Sequence, residues 1–430
     1  MFETLKNAFK VADLRKKILL TLLILLIYRV GCWLPIPGIQ ADYFDSDSNS
    51  FLNLLSAVTG GALQNGAFLA LGVIPYISAS IIMQLLTFGI PSLERLSKQG
   101  DAGRKKIAFY TRIATLVLAT MQGFGIVYSL GTSEVLDTTL FGSGTPAIIV
   151  AIVVISILIA GAMFTMWLGE KITDLGIGNG LSLLVFIGII SSAGSSLFTN
   201  FVSVFENIDY LWDILIFAGL LVIIFGMITF VDLSVRNIPV QYAKQIRGRK
   251  MYGGQSTNIP IKVNSFGVMP LIFATAFIMF PQYIMQIFWS DSSAYTWYST
   301  WLGTDSIFYF LVSGLLILFF SYFYGSMVFN PEEISRTLQQ NGGFIPGKRA
   351  GKPTGDYIRS ISNRITFFGA MYLTLIFLIP SVLFVSLGST GDLLNAFSVT
   401  GMLIVVSVAL EFDKQIGAQM MMKNYKGFLK

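Results

Sequence analysis

The sequence predicts an all-α polytopic membrane protein of ten transmembrane helices, arranged as two inverted halves of five helices each. Its composition indicates a membrane environment, because 54% of the 430 residues are hydrophobic and only 12% are charged, about half the charged fraction of a soluble domain. The mean hydropathy of the chain is +0.70. Ten long apolar runs predict the helices, and a short segment that occurs twice predicts the two halves.

Each of the ten apolar runs is long enough to cross the hydrocarbon core as a helix, which takes about 20 residues. The first run leads into Pro-Ile-Pro without a cleavage site of small residues, so it is expected to be a membrane span and not a cleavable signal. The approximate limits of the runs are 18–36, 66–88, 107–130, 146–168, 178–197, 211–231, 264–288, 306–329, 364–387 and 392–411.

The loops between the runs alternate in charge, which predicts their orientation. Of the 29 Lys and Arg residues, all except Arg29 fall on one side of the membrane, whereas the loops on the other side carry acidic residues alone. The positive-inside rule therefore predicts that both termini are cytoplasmic. Arg29 lies inside the first run, where it is expected to reach the interface or a backbone carbonyl, with a functional charge as the alternative.

The repeated segment reads "LGVIPYISAS" at 71–80 and "FGVMPLIFAT" at 266–275, with glycine, valine, proline, isoleucine and alanine at matching positions. The copies fall on the second and seventh runs, the second members of two groups of five. Because five is odd, the two groups would insert in opposite directions, as an inverted repeat. Pro75 and Pro270 are each expected to bend a helix along the transport path. The alternative is a pair of ordinary proline kinks in unrelated helices.

The repeat predicts the organisation of the chain, with an N-terminal half at 1–197, an external connection at 198–210, a C-terminal half at 211–411 and a cytosolic tail at 412–430. The segment "FLNLLSAVTGGALQNG" (51–66) does not fit this count, because it is apolar but too short to cross. It is expected to dip into the protein from outside as a short re-entrant helix, or else to lie on the surface as an amphipathic helix.

The residue types exclude most catalytic chemistry. The chain has no histidine and a single cysteine, Cys32, so the commonest general base and metal ligand are missing. The segment "GGFIPGKR" (342–349) follows the spacing of a nucleotide-binding loop but ends in Arg349 where Ser or Thr would bind magnesium. "GIGNG" (176–180) is better explained as a tight turn into a helix. The sequence therefore predicts no enzyme, no cofactor and no metal site.

Two long cytosolic loops, 232–263 and 330–363, are strongly basic. Together with Arg364 at their end, they hold 12 basic residues against four acidic ones. This charge is explained either by orientation and attraction to anionic lipid or by docking of a large partner, including one rich in RNA phosphate.

Several motifs, in order, resemble the SecY family of channel-forming subunits of the bacterial Sec protein translocon. They are "GGAL" (60–63) with "ALGVIPYISASIIMQLL" (70–86), "MWLGEKITDLGIGNGLSLL" (166–184), "IPVQYAKQ" (238–245) with "STNIPIKVNSFGVMP" (256–270), and "FNPEEISRTLQQNGGFIPG" (329–347). The resemblance implies a clamshell of two five-helix halves with a plug helix. It also implies a channel that passes unfolded secretory proteins across the membrane and releases signal helices sideways into lipid.

The resemblance also implies site residues, which we carry over motif by motif. Residues 51–65 would form the plug, and Pro75 and Pro270 would lie in the gate helices. The constriction would be a ring of aliphatic side chains: Val73, Ile77, Leu181, Val185, Ile272 and Ile404. The residues of the plug would be Leu52, Leu54, Leu55, Val58, Gly60, Gly61 and Leu63.

The partners implied by the resemblance are the small subunits SecE and SecG, the SecA motor ATPase, the ribosome with its RNA and protein, secretory preproteins and membrane lipid. The cytosolic docking residues would be Arg247, Arg249, Lys250, Lys348 and Arg349. The location implied is the cytoplasmic membrane of a bacterium. A secondary solute transporter with an inverted repeat is the alternative, although the segments around Pro75 and Pro270 offer it only Ser78, Ser80 and Thr275 as polar ligands.

Overall fold

A computed structural model describes residues 2–37, 39, 59–63, 65–131, 147–204, 210–242, 245–247, 250–252, 256–264, 267–289, 292–303, 306–387 and 399–427. Contacts divide the chain into two compact units. The first unit combines 1–217, 279–303 and 388–430, and the second combines 218–278 and 304–387. The inverted five-helix halves expected from the repeat stay a prediction.

Helices dominate both units. In chain order they are α1 (Phe2–Lys10), α2 (Ala12–Gly31), α3 (Ile74–Gly89), α4 (Pro91–Ser97), α5 (Asp101–Gly131), α6 (Ala147–Leu175), α7 (Gly180–Val204), α8 (Tyr210–Leu233), α9 (Met269–Phe288), α10 (Ser293–Leu302), α11 (Ile307–Val328), α12 (Pro331–Gln340), α13 (Lys352–Leu387) and α14 (Val399–Gly427).

The helices follow the predicted runs closely where a run is uniformly apolar, as in α11, whereas α6 continues seven residues beyond its run, to Leu175. Within the described residues, four segments are long and apolar enough to cross a membrane, and α3 with α4, which meet at a bend of 105°, would make a fifth. The four are Asp101–Tyr128, Ile148–Leu175, Ile307–Gly325 and Lys352–Pro380. Helix α2 is not among them because its 20 residues include five charged ones. The count of ten spans is therefore still a prediction.

The second predicted run differs from the structure at its start. Residues 68–73 form consecutive turns after an isolated bridge between Pro35 and Ala67, and Phe68 donates its backbone N–H to the carbonyl of Leu34 at 2.8 Å. Pro75 then lies in the first turn of α3, and Pro270 is likewise the second residue of α9. The prediction that these prolines bend their helices is wrong, because a first-turn proline removes an N–H that has no intrahelical acceptor.

The predicted cytosolic tail is largely helical, since α14 continues to Gly427. Its first tail turns are amphipathic, with Phe412, Ile416 and Met420 on one face. This face packs in an apolar cluster with residues of α1, α2 and the turn before α7: Ala8, Leu14, Ile18 and Ile177. Burial of that stripe keeps the helix going beyond the end of the apolar run.

The two basic loops, read as loops from the sequence, form strands in the second unit. Strand β1 (Val235–Tyr242) lies between β4 (Ser256–Lys262) and β5 (Gly343–Phe344), antiparallel to both, while β2 (Gln245–Arg247) pairs with β3 (Lys250–Tyr252). One apolar core joins the loops and α13: Ile238, Val240, Ile261, Leu338, Ile345 and Ile358. The two loops are therefore one small folded platform.

Candidate functional site

The two copies of the repeated segment have the same local backbone. Gly72 and Gly267 adopt positive φ angles of 52° and 61°, which favour glycine. The next residue is a valine, and the helix starts one residue later in both copies. The backbone N–H of Ile77 donates to the carbonyl of Val73 at 3.0 Å, and that of Ile272 donates to the carbonyl of Val268 at 3.2 Å. The sequence match therefore corresponds to a duplicated turn that opens a helix.

This turn positions three of the predicted ring residues. Val73 is buried, with 3% of its surface exposed. Ile77 and Ile272 lie in the first turns of α3 and α9, and both are half-buried. Val73 and Ile77 belong to the first unit and Ile272 to the second.

Two further ring residues lie one helical turn apart at the start of α7. The Asn179 side chain caps this helix by accepting from the backbone N–H groups of Leu181 and Ser182 at 3.2 and 3.4 Å. Leu181 is half-buried and occupies the space that a side chain at Gly169 of α6 would fill, because a Cβ there would lie 2.6 Å from its Cδ2. Val185 is buried.

The last ring residue, Ile404, is buried in α14 with 6% of its surface exposed. Helix α14 packs directly on α7. The structure thus brings the helices of Leu181, Val185 and Ile404 together in the first unit.

The predicted plug falls partly outside the described residues, which do not include Leu52, Leu54, Leu55 or Val58. Gly60 and Gly61 have positive φ angles of 71° and 84° and lie in a tight turn. Leu63 is buried among residues of α5 and α6.

Arg29 makes a specific contact with this turn, since its Nη1 donates to the carbonyl of Gly60 at 2.8 Å. Its guanidinium also lies 6.0 Å from the centre of the Trp33 ring. The sequence predicted that Arg29 reaches either the membrane interface or a backbone carbonyl, and the structure shows a backbone carbonyl partner. The sequence could not identify which carbonyl, because 30 intervening residues separate the two.

The predicted docking residues lie in the two basic loops that form the platform, except that Arg249 is outside the described residues. Arg247 and Lys250 are paired in the backbone register at the end of the β2–β3 pair. Lys348 and Arg349 are exposed in the turn after β5. The Lys348 ammonium lies 5.4 Å from the centre of the Tyr357 ring.

The turn that carries Arg349 is held by its backbone. The buried hydroxyl of Thr354 donates to the carbonyl of Arg349 at 2.7 Å, and the hydroxyl of Ser335 donates to the carbonyl of Gly351 at 2.6 Å. The Arg349 side chain is free of this role and points its charge at solvent. A turn whose backbone is held by hydrogen bonds and whose charged side chain is exposed suits recognition of an anionic or acidic surface.

The comparisons with known proteins agree over nearly the whole chain. A family model described as SecY matches residues 67–412. The chain is 41% identical to the protein translocase subunit SecY of Streptomyces coelicolor over 445 residues, which covers 100% of both chains. It is 40% identical over 450 residues to the SecY subunits of Halalkalibacterium halodurans and Mycobacterium tuberculosis, again with 100% of both chains covered.

Solved structures share the fold at lower identity. One described as the structure of a protein conducting channel has a TM-score of 0.65 and 17% identity, covering 94% of this chain and 92% of that chain. Sec61 in the canine ribosome–channel complex from the endoplasmic reticulum has a TM-score of 0.61 and 16% identity, with the same coverage.

Proposed function

Because the chain belongs to the SecY family, we infer that it is the channel subunit of a bacterial protein translocase, through which unfolded secretory proteins cross the cytoplasmic membrane. The observation that carries this inference is the 41% identity over the complete length of a protein translocase subunit. The function is that of a channel and not of an enzyme. We further propose that the channel releases signal and transmembrane helices sideways into lipid.

The surface of the helices supports a location within lipid. Large apolar side chains on several helices are exposed, including Ile148, Val222, Phe230 and Ile307 at 72%, 71%, 75% and 80% of their surface. Side chains of this kind cover a soluble protein only in small patches. We propose that ten helices span the membrane as two inverted halves with both termini in the cytoplasm. The alternation of charged loops and the duplicated turn at Gly72 and Gly267 support this arrangement.

We propose that Val73, Ile77, Leu181, Val185, Ile272 and Ile404 form the constriction. Because every secretory sequence must pass, fixed charges or hydrogen bonds would retain some clients and repel others. Aliphatic side chains adapt to any chain, and in the closed state they exclude water and hence ions. Residues 51–65 would obstruct the outer half as a plug, a role supported by the resemblance and by the anchored turn at Gly60.

The alternative of a solute transporter loses two of its three candidate ligands in the structure. The hydroxyl of Thr275 donates to the carbonyls of Leu271 and Ile272 in its own helix, at 3.1 and 3.0 Å. The hydroxyl of Ser80 accepts from Gln84, at 3.3 Å. Polar groups that are used within their own helices do not form a solute site.

We propose that the basic platform docks the partners that drive transport. The Sec61 structure in a ribosome–channel complex supports a ribosome as one of them. A SecA motor, and SecE and SecG as small membrane subunits, are proposed from the resemblance of the chain. Exposed Lys348 and Arg349, with Arg247, Arg249 and Lys250 of the first basic loop, would supply the charge.

Reconstitution tests this function. The chain, with its small subunits, is placed in lipid vesicles and supplied with motor, ATP and a preprotein that carries a signal sequence. We expect protease-protected preprotein to accumulate inside the vesicles, and expect none when the signal sequence is deleted. Protection that is independent of the chain, or uptake of small solutes instead of preprotein, would overturn the proposal.

A further inference from the structure

A short helix between two predicted spans has an exposed aromatic surface. Helix α10, Ser293–Leu302, follows α9 and precedes α11, in a loop that the charge pattern assigns to the outer side of the membrane. Its sequence, "SAYTWYSTWL", contains no charged residue, and the nearest charges along the chain are the acidic Asp291 and Asp305. Trp297 and Trp301 nevertheless have 58% and 51% of their surface exposed. So much exposed aromatic surface on ten residues marks a contact surface.

The side chains of α10 separate into three faces. Trp297 and Trp301 are four residues apart and share one face of the helix. Tyr298 is buried, with 9% of its surface exposed, and lies on the side opposite a stripe of exposed hydroxyl residues at the spacing i, i+3, i+7. These residues are Ser293, Thr296 and Thr300. The tryptophan face therefore lies between a face that packs on protein and a face that presents hydroxyl groups.

The hydroxyl face is bonded within the helix itself. The Thr300 hydroxyl donates to the carbonyl of Thr296 at 2.7 Å, and the Thr296 hydroxyl donates to the carbonyl of Ser293 at 3.0 Å. At the start of the helix, the Ser292 hydroxyl accepts from the backbone N–H of Tyr295 at 3.3 Å. Hydroxyls that have backbone partners lose little when water is scarce, so this face tolerates a boundary between water and lipid.

The chain keeps α10 close to the ends of both predicted spans. Five residues separate the end of α9 at Phe288 from Ser293, and five separate Leu302 from the start of α11 at Ile307. Each link spans at most about 17 Å when fully extended. The headgroup region on one side of a bilayer is only about 6 Å deep. The links therefore hold α10 near the membrane surface, and its own residues decide whether it enters the headgroup region.

We propose that α10 is an interfacial helix, in which Trp297 and Trp301 insert among the lipid headgroups of the outer leaflet and anchor the connection between α9 and α11. Tryptophan favours this depth because its ring is apolar while its indole N–H still meets polar groups. Interfacial helices that bind anionic lipid carry Lys and Arg, which α10 lacks, so this contact does not depend on lipid charge. The inference goes beyond the proposed transport function and uses only the proposed orientation, which assigns the leaflet.

Spin labels measure the depth of each face. A nitroxide is attached to Trp297→Cys, Trp301→Cys, Thr296→Cys or Thr300→Cys in separate proteins, in a Cys32→Ser background with the small subunits in phosphatidylcholine vesicles. Collisions are measured with oxygen, which concentrates in hydrocarbon, and with a water-soluble nickel chelate. We expect the ratio of oxygen to chelate collisions to be several-fold higher at the two tryptophan positions than at the two threonine positions.

Matched variants separate anchoring from proximity. Labels on Ile307→Cys and Arg349→Cys give the lipid and water limits of the ratio. Added to Trp301→Cys, Trp297→Ser should lower the ratio to the value at the threonine positions, whereas Trp297→Phe should preserve it. The Ile307→Cys label should be unchanged by Trp297→Ser, which shows that α11 is still in place. Collisions mainly with chelate at both tryptophan positions, protection from both reagents by a protein partner, or no effect of Trp297→Ser would each overturn the proposal.

Lipid charge and sidedness complete the test. The ratios should be the same in vesicles that contain anionic phosphatidylglycerol, and a high ratio found only there would contradict an anchor made of aromatic side chains alone. In intact cells, an impermeant thiol reagent should reach Thr300→Cys. If the reagent reaches this position only after permeabilisation while the spin labels report the interface, the proposed orientation fails and the interfacial helix stands.

Discussion

Replacement of Ile272 by asparagine tests the aliphatic constriction. A fully buried isoleucine contributes about 1.5–3 kcal/mol, so half-buried Ile272 would contribute about 1 kcal/mol to the closed state, or about fivefold in a closed–open equilibrium. The amide would also hold water and make exclusion of ions less favourable. We therefore expect Ile272→Asn to raise the ion conductance of the idle channel about fivefold and to admit preproteins with weakened signal sequences.

Two variants make this measurement decisive. Ile272→Leu keeps the volume and apolarity of the side chain, so its conductance and selectivity should match the wild type. Ile77→Asn occupies the corresponding position of the duplicated turn and should behave like Ile272→Asn. If Ile272→Asn conducts no better than Ile272→Leu, the side chain does not line the constriction and the carried-over ring is wrong there.

Two further predictions concern the platform and the orientation of the chain. Arg349→Glu should slow preprotein transport about tenfold, with Lys98→Glu as a charge-reversal control. The defect should shrink at high salt, because screening weakens the wild-type contact. If the Arg349→Glu variant transports preprotein as fast as the wild type, this charge does not dock a partner. In a Cys32→Ser background, Ala294→Cys should react with an impermeant thiol reagent in intact cells. Lys352→Cys should react only after the cells are permeabilised. The reverse pattern would overturn the predicted topology.

The sequence predicted the helices best where apolarity alone determines them. The run at 306–329 became α11, Ile307–Val328, because nothing in it competes with a buried or lipid-facing helix. The run at 66–88 was less well predicted, since Gly72 and Pro75 end the turns and begin the helix at Ile74. Periodicity does not separate an apolar turn from an apolar helix, and Pro75 was consequently expected inside a helix when it starts one.

The basic platform was missed for a different reason. The alternation in "VRNIPVQY", with Ile238 and Val240 buried and their neighbours exposed, was a usable strand pattern. Its partner β5 is two residues long and lies about one hundred positions away, at Gly343–Phe344, a pairing that a single sequence does not reveal. The bond from Arg29 to Gly60 is similarly a matter of tertiary structure, although the charge within an apolar run marked Arg29 as unusual.

A photo-crosslinking amino acid in the proposed constriction tests the central claim most directly. A preprotein is arrested during transport by a folded C-terminal domain, and the probe is placed at Val73, Ile77 or Ile272 in separate proteins. Probes at Phe230 and Ile307, which are 75% and 80% exposed, serve as lipid-facing controls. The account predicts crosslinks to the arrested client from the three constriction sites and none from the controls. Equal crosslinking from both groups, or crosslinks from the controls alone, would contradict it.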